Sequence, residues 1–174
     1  MPSGLEAIAV LLFILVFNMF IHQSICISPQ HTFQQTLSET FVSSVDNKLQ
    51  VIEPKYEDIP LNVMRRMGKA VRMGVGACLP IIKQHSVDGV IIGTANGGMD
   101  DCIKFLNQVI EFDEGTLTPT NFVQSTSNAI AAQVAFLSQN NQYNITHVHR
   151  GLASKMHYWT HGCSCMKNQK VIYW

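Results

Sequence analysis

The chain has 174 residues, 47% of them hydrophobic, and its twelve basic and twelve acidic side chains cancel to a formal net charge of zero. That length suits one domain with a proper core, or a large fragment of one, and the balanced charge excludes a global field for nucleic acid or an anionic membrane surface. Five cysteines is an odd number; Cys26, Cys78 and Cys102 sit in apolar stretches where a reduced thiol packs as a small hydrophobe, which points to a reducing compartment, the cytoplasm.

The first apolar stretch opens at Ile8 and closes at Phe20. A spanning helix needs about 20 apolar residues, and Asn18, His22, Gln23 and Ser24 cut this one short. As a signal peptide it lacks basic residues before the apolar run and a clear small-residue cleavage site. Two readings stay open: a membrane anchor or leader, or translation starting at Met19 with residues 1–18 read through from upstream. From Phe20 to Ser28 the loose alternation FIHQSICIS, closed by Pro29, predicts a strand. Residues 31–57 are polar and mixed, a long surface connection with room for one short helix. After Pro60 the residues Val63, Met67, Ala70, Val71, Cys78 and Ile82 recur at helical spacing. Gly68, Gly74 and Gly76 would each weaken an exposed helix by about 1 kcal/mol, so they predict a helix packed tightly on a neighbour. VDGVIIG reads as a strand and GTANGGM as a glycine turn. Asp100 and Asp101 then open an amphipathic helix, their charges suiting its N-terminus. GTLTPTNF is a loop, FVQSTSNAIAAQVAFLSQ a small-residue helix, NNQYN a turn and ITHVH a strand. Alternating strands and helices argue an α/β layered fold.

Three features are candidates for chemistry. GTANGGM fits neither dinucleotide nor P-loop patterns, and the aspartates after it would repel an anion, so it reads as a turn that needs glycine. Arg65, Lys69 and Arg72, at i, i+4 and i+7 on one continuous helix, stack three cations on one face; such a stripe is either a solvated face or a dock for an acidic partner. The tail carries His157, His161, Cys163 and Cys165, a ligand-rich cluster whose single-residue cysteine spacing suits a tetrahedral zinc poorly.

The blocks RRMGKAVRMGVGACLPII, DGVIIGTANGGMDDCIKFLNQVIEFDEG and LTPTNFVQSTSNAIAAQVAF, in that order, resemble the N-terminal half of β-ketoacyl synthase-like proteins, most nearly the variety encoded in bacterial aryl-polyene and flexirubin pigment clusters. The resemblance covers residues 19–153, and FIHQSICISPQ looks like the family's first strand. It implies a thiolase-like α/β layered fold, here its N-terminal half only, in an acyltransferase family that condenses acyl thioesters in fatty acid and polyketide biosynthesis. In that family the strand at ITHVH leads to a nucleophilic cysteine at a helix start, where the dipole lowers the thiol pKa and backbone amides hold the oxyanion. Laying VHRGLAS on that motif puts Leu152 at the nucleophile position, and leucine forms no thioester. The family's remaining catalytic side chains belong to its C-terminal half. Whether this chain is an enzyme is therefore open, and no catalytic residue, cofactor or metal is assigned to it.

The genetic code offers a reading of the tail. Back-translated and read one base earlier, SKMHYWTHGCSCMKNQKVIYW becomes FENALLDAWMLMHEKPEGNIL, in which the residues Ala-Leu-Leu-Asp are forced. HRGLAFENALLDAWMLM is an amphipathic helix where the family has one. The expected organisation is thus residues 1–18 as an apolar leader, 19–153 as the synthase-like domain, and 154–174 as an out-of-frame tail. The resemblance implies acyl carrier protein as a partner, with Arg65, Lys69 and Arg72 as its contact, and pairing as a homodimer or beside a synthase subunit. It also implies two roles, a fragment of a condensing enzyme or a non-catalytic chain-length subunit. Half a thiolase-like fold would leave broad apolar surface uncovered. The rival from another class is a small membrane-anchored metal-binding protein.

Overall fold

The computed structural model describes residues 21–33, 42–113, 115, 117–152 and 170–173. In chain order the elements are α1 (Leu61–Met64), α2 (Lys69–Gln84), β1 (Gly89–Thr94), α3 (Met99–Glu111), α4 (Pro119–Gln124), α5 (Ala129–Ser138), β2 (Tyr143–Val148) and β3 (Val171–Tyr173). The strands form one parallel sheet in the order β2-β1-β3.

The central strand is GVIIGT, and its Val90, Ile91 and Ile92 are at most 2% exposed. A parallel strand covered on both faces reads as a continuous apolar run, which is why this one is plain in the sequence. Gly89 pairs with Tyr143 on one side and with Val171 on the other. One core joins the sheet to the helices: Val71, Val75, Cys78 and Leu79 of α2 meet Val90 and Ile92, with Ala131 and Val134 of α5 beside them. The small residues of α5 let it approach closely, and the Asn144 side chain of β2 donates to the Ala131 carbonyl at 2.9 Å.

The helix expected from Pro60 onward is broken. Gly68 is extended (φ −61°, ψ 159°) and α2 starts after it. Asp101 of α3 occupies the space a Cβ at Gly68 would need, a carboxylate next to the N-terminus of α2, where negative charge is favoured. The helix expected from Phe122 onward is also split. Between α4 and α5 the Ser125 hydroxyl donates to the Phe122 carbonyl (2.7 Å) and Thr126 to Val123 (2.8 Å), local bonds that compete with continued helix.

Two further expectations are corrected. Residues 21–27 form no strand; instead Thr32 donates its hydroxyl to the Cys26 carbonyl (3.1 Å) and the Gln30 N–H bonds the Ser28 hydroxyl (3.1 Å), so side chains turn the backbone away from a ladder. Cys26 is exposed, whereas Cys78 is buried and Cys102 half-buried. Burial alone pushes the Cys78 thiol up to about 12, which makes it inert packing. Val171–Tyr173, inside the stretch read as out of frame, contributes β3.

A strap formed by residues 51–59 crosses the outside of α2. Glu53 takes two bonds from the Arg72 guanidinium, both 2.7 Å, and Lys83 pairs with Asp58 at 2.5 Å. Ile59 is buried, and the Tyr56 ring lies against Gly76, where a Cβ would overlap it. Gly76 is also four residues before Pro80 in the same helix, the position whose carbonyl a proline ring crowds. The sequence reading that the glycines of α2 mark close packing is met here by an aromatic ring.

Two outcomes follow from the strap. Gly76→Val forces the ring off the helix and should cost about 1–3 kcal/mol, as overpacking does, read as a lowered Tm; an unchanged Tm would show that the ring is not seated there. The hydrogen bonds from Arg72 hold the Glu53 carboxyl below its ordinary 4.5, against opposing desolvation. A lowered folded-state pKa stabilises above the unfolded value and loses that stability as pH falls through the folded one. Glu53→Gln should therefore lower Tm at neutral pH and shrink the difference between neutral and acid Tm; an equal acid loss in both forms would assign that loss elsewhere.

Candidate functional site

In parallel α/β sheets ligands bind outside the carboxyl ends of the strands, and here three connections meet there. The turn after β1 folds back through a 3.0 Å bond from the Gly97 N–H to the Thr94 hydroxyl. Gly97 and Gly98 have φ of 56° and 76°, a region glycine enters freely, and a Cβ on Gly97 would press on Ser127 and Val148 at 3.2 and 3.3 Å. This is the glycine-requiring turn the sequence indicated. The His149 N–H, just past β2, donates to the Thr94 carbonyl at 3.0 Å and ties the two strand ends together. The segment between α4 and α5, carrying Ser127, is the third wall.

Beyond β2 the chain turns at once. The Nδ1 atom of His149 accepts the Gly151 N–H at 3.2 Å and the Leu152 N–H at 2.9 Å. Both bonds use the lone pair of Nδ1. Leu152 is 43% exposed. The position that sequence reasoning gave to a nucleophile thus holds an aliphatic side chain, and its backbone donor already has an acceptor. His149 was not singled out by the sequence; its role depends on a side chain reaching back over a turn, which no spacing rule encodes.

The cation stripe is rearranged. It assumed one continuous helix, but the break before Lys69 separates Arg65 from the other two. Arg65 and Lys69 are exposed, whereas Arg72 is half-buried and committed to Glu53. The Glu53 hydrogen bond raises the Arg72 pKa further. Arg66, which sequence reasoning passed over, is also exposed beside Arg65. The break is held by Gln124 of α4, whose side-chain oxygen accepts the Gly68 N–H at 2.6 Å while its nitrogen donates to the Arg66 carbonyl. Asp101, buried on α3, pairs with Lys104 at 3.1 Å; the sequence assigned it only to its own helix start.

The cluster of His157, His161, Cys163 and Cys165 lies outside the described residues, as do the apolar stretch from Ile8 to Phe20 and the proposed start at Met19. Among the described residues no group of three potential ligands is placed to hold a metal ion, and no helix is long and apolar enough to cross a membrane.

Residues 38–156 match the family model described as beta-ketoacyl synthase, N-terminal domain. No curated protein matches the chain. Among solved structures the chain is similar to one in the complex "Ketosynthase (ApeO) in Complex with its Chain Length Factor (ApeC)" from Xenorhabdus doucetiae, with a TM-score of 0.67 and 18% identity. That likeness, one of fold at such identity, covers 88% of this chain and 65% of the other, so the chain spans just under two thirds of its relative's length. The parallel sheet, the helices across it and the match over residues 38–156 together assign the chain to the thiolase-like fold and to the β-ketoacyl synthase family, within its N-terminal domain.

Proposed function

We propose that this chain serves as a non-catalytic, chain-length-factor-like partner of a β-ketoacyl synthase subunit, in the cytoplasmic elongation of acyl thioesters borne by acyl carrier protein. The observation that carries the reading is Leu152, which stands where the family's nucleophile is expected and whose N–H is bonded to His149. A leucine side chain carries no nucleophile to take an acyl group, and an amide already donating is not free for an oxyanion. The pairing of a ketosynthase with a chain length factor in the similar solved complex supports a partnered role. So does α3, whose Met99, Ile103, Leu106 and Ile110 are all exposed and recur at the spacing of one helix face.

Carrier docking belongs to the same proposal. The sequence named Arg65, Lys69 and Arg72 for it; with Arg72 held by Glu53, the exposed cations suited to an acidic carrier are Arg65, Arg66 and Lys69. Such charges act chiefly through steering and register. The frame change after Ala153 is a proposal of its own: sequencing the codons for Arg150 to Lys170 should find one base gained or lost, and DNA that encodes the tail as written removes it.

Incubated with an acyl-loaded carrier, the chain should keep its mass, while a stable acyl adduct would overturn the non-catalytic reading. Mixed with the synthase subunit of an aryl-polyene pair, it should co-elute as a complex, and separate elution would overturn the subunit reading. Lys69→Glu should weaken carrier binding about three- to tenfold, as reversal of an exposed charge does. Arg72→Glu should lower Tm with a smaller effect on binding. Unchanged binding in Lys69→Glu would remove the docking assignment.

A further inference from the structure

Asn96 and Gly97 form the single Asn-Gly pair in the chain. Asparagine is thermolabile, and a following glycine, with no Cβ, leaves its backbone nitrogen open to close approach. Asn96 is exposed, and among the described residues its side-chain amide has no hydrogen-bond partner. Its Cγ can therefore swing toward the Gly97 nitrogen, and water reaches both. The pair sits in the turn after β1, at the carboxyl end of the strands, yet none of the bonds that build the candidate site involves the Asn96 side chain.

One bond opposes the approach. The Gly97 N–H donates to the Thr94 hydroxyl at 3.0 Å. Closing a cyclic imide would leave that nitrogen with no hydrogen, so the bond has to be given up before the ring can form. The hydroxyl is itself held in place by the sheet: Thr94 pairs with Val148, and its carbonyl accepts the His149 N–H at 3.0 Å. The turn is also crowded, since a Cβ on Gly97 would press on Ser127 and Val148 at 3.2 and 3.3 Å.

We propose that Asn96 and Gly97 form a self-modification site latched by the Thr94 hydroxyl. When the latch opens, the Gly97 nitrogen passes its proton to water and bonds to the Asn96 Cγ; the side-chain amide nitrogen leaves as ammonia, taking up a proton from water. Water then opens the cyclic imide. Attack at the side-chain carbonyl gives aspartate on an unaltered backbone, whereas attack at the main-chain carbonyl gives an isoaspartyl link that lengthens the backbone by a methylene. Either product adds a negative charge in the turn that leads into α3, whose first turn already carries Asp100 and Asp101. The isoaspartyl form does more. Its added methylene has no room against Ser127 and Val148 while Thr94 keeps its bond, so it loosens the turn and, through Thr94, the tie to His149.

Peptide mapping by mass spectrometry on the folded full chain, kept at mildly alkaline pH, reads the site, and labelling by an isoaspartyl methyltransferase separates the two products. The folded parent should convert at Asn96 about tenfold more slowly than the same chain in urea, because the latch opens only with the local structure; equal rates would overturn the proposal. Thr94→Val should speed conversion in the folded state about three- to tenfold, as loss of one hydrogen bond does, while Thr94→Ser, which keeps the hydroxyl, should stay near the parent. An unchanged rate in Thr94→Val, or no conversion at Asn96 in any form, overturns the proposal. Should Thr94→Val lose the amide protection of β1 and β2, the parent's own comparison between folded chain and urea decides. Isolated isoaspartyl chains should exchange the His149 N–H faster than Asn96→Asp, which adds the charge alone; equal exchange overturns the effect on the candidate site.

Discussion

The side-chain amide of Gln124 stands in for a peptide group where the backbone ladder fails. Leaving helical geometry at Gly68 frees a donor there and an acceptor at Arg66 that the backbone ladder no longer pairs. Gln124 satisfies both, and Asp101 sets its charge beside the exposed end of α2. One short helix and the first turn of another thereby fix where α2 begins. The rest depends on that origin: the direction of Arg72 toward Glu53, the seat of Tyr56 on Gly76, and the passage of α2 back across β1.

The sequence disclosed best what local pattern determines. The apolar run of β1 is the imprint of burial on both faces, the paired glycines after it are required by positive φ, and the aspartates of α3 suit a helix start. Breaks were hidden because periodicity carries across them: Val63, Met67, Ala70 and Val71 keep helical spacing although Gly68 is extended. Arg72 looked available for the same reason, since its partner lies nineteen residues away in a segment with no period of its own. The first strand was expected from alternation alone, but strand formation is a bargain among distant segments, and Ser28 and Thr32 offered the backbone nearer bonds.

At the candidate site the sequence singled out Leu152 through the resemblance alone and disclosed nothing of its surroundings. Leu152 follows from laying a motif on the chain. That its N–H should meet an imidazole nitrogen three residues back follows from a turn and a rotamer, which exist only once β2 is tied to Thr94 by the His149 N–H. The family assignment rests on the match over residues 38–156 and on the parallel sheet.

The order of the strands also bears on how the chain is made. β1 is the most buried strand, and both of its partners, Tyr143–Val148 and Val171–Tyr173, lie far downstream. A ribosome therefore releases Val90, Ile91 and Ile92 long before either neighbour exists to cover their edges. Non-local parallel pairing is slow, and unpaired apolar strands are prone to associate while they wait. Until β2 emerges, the nascent chain is an aggregation hazard centred on GVIIGT, one that α2, already synthesised and carrying Val71, Val75 and Leu79, can shield on one face only.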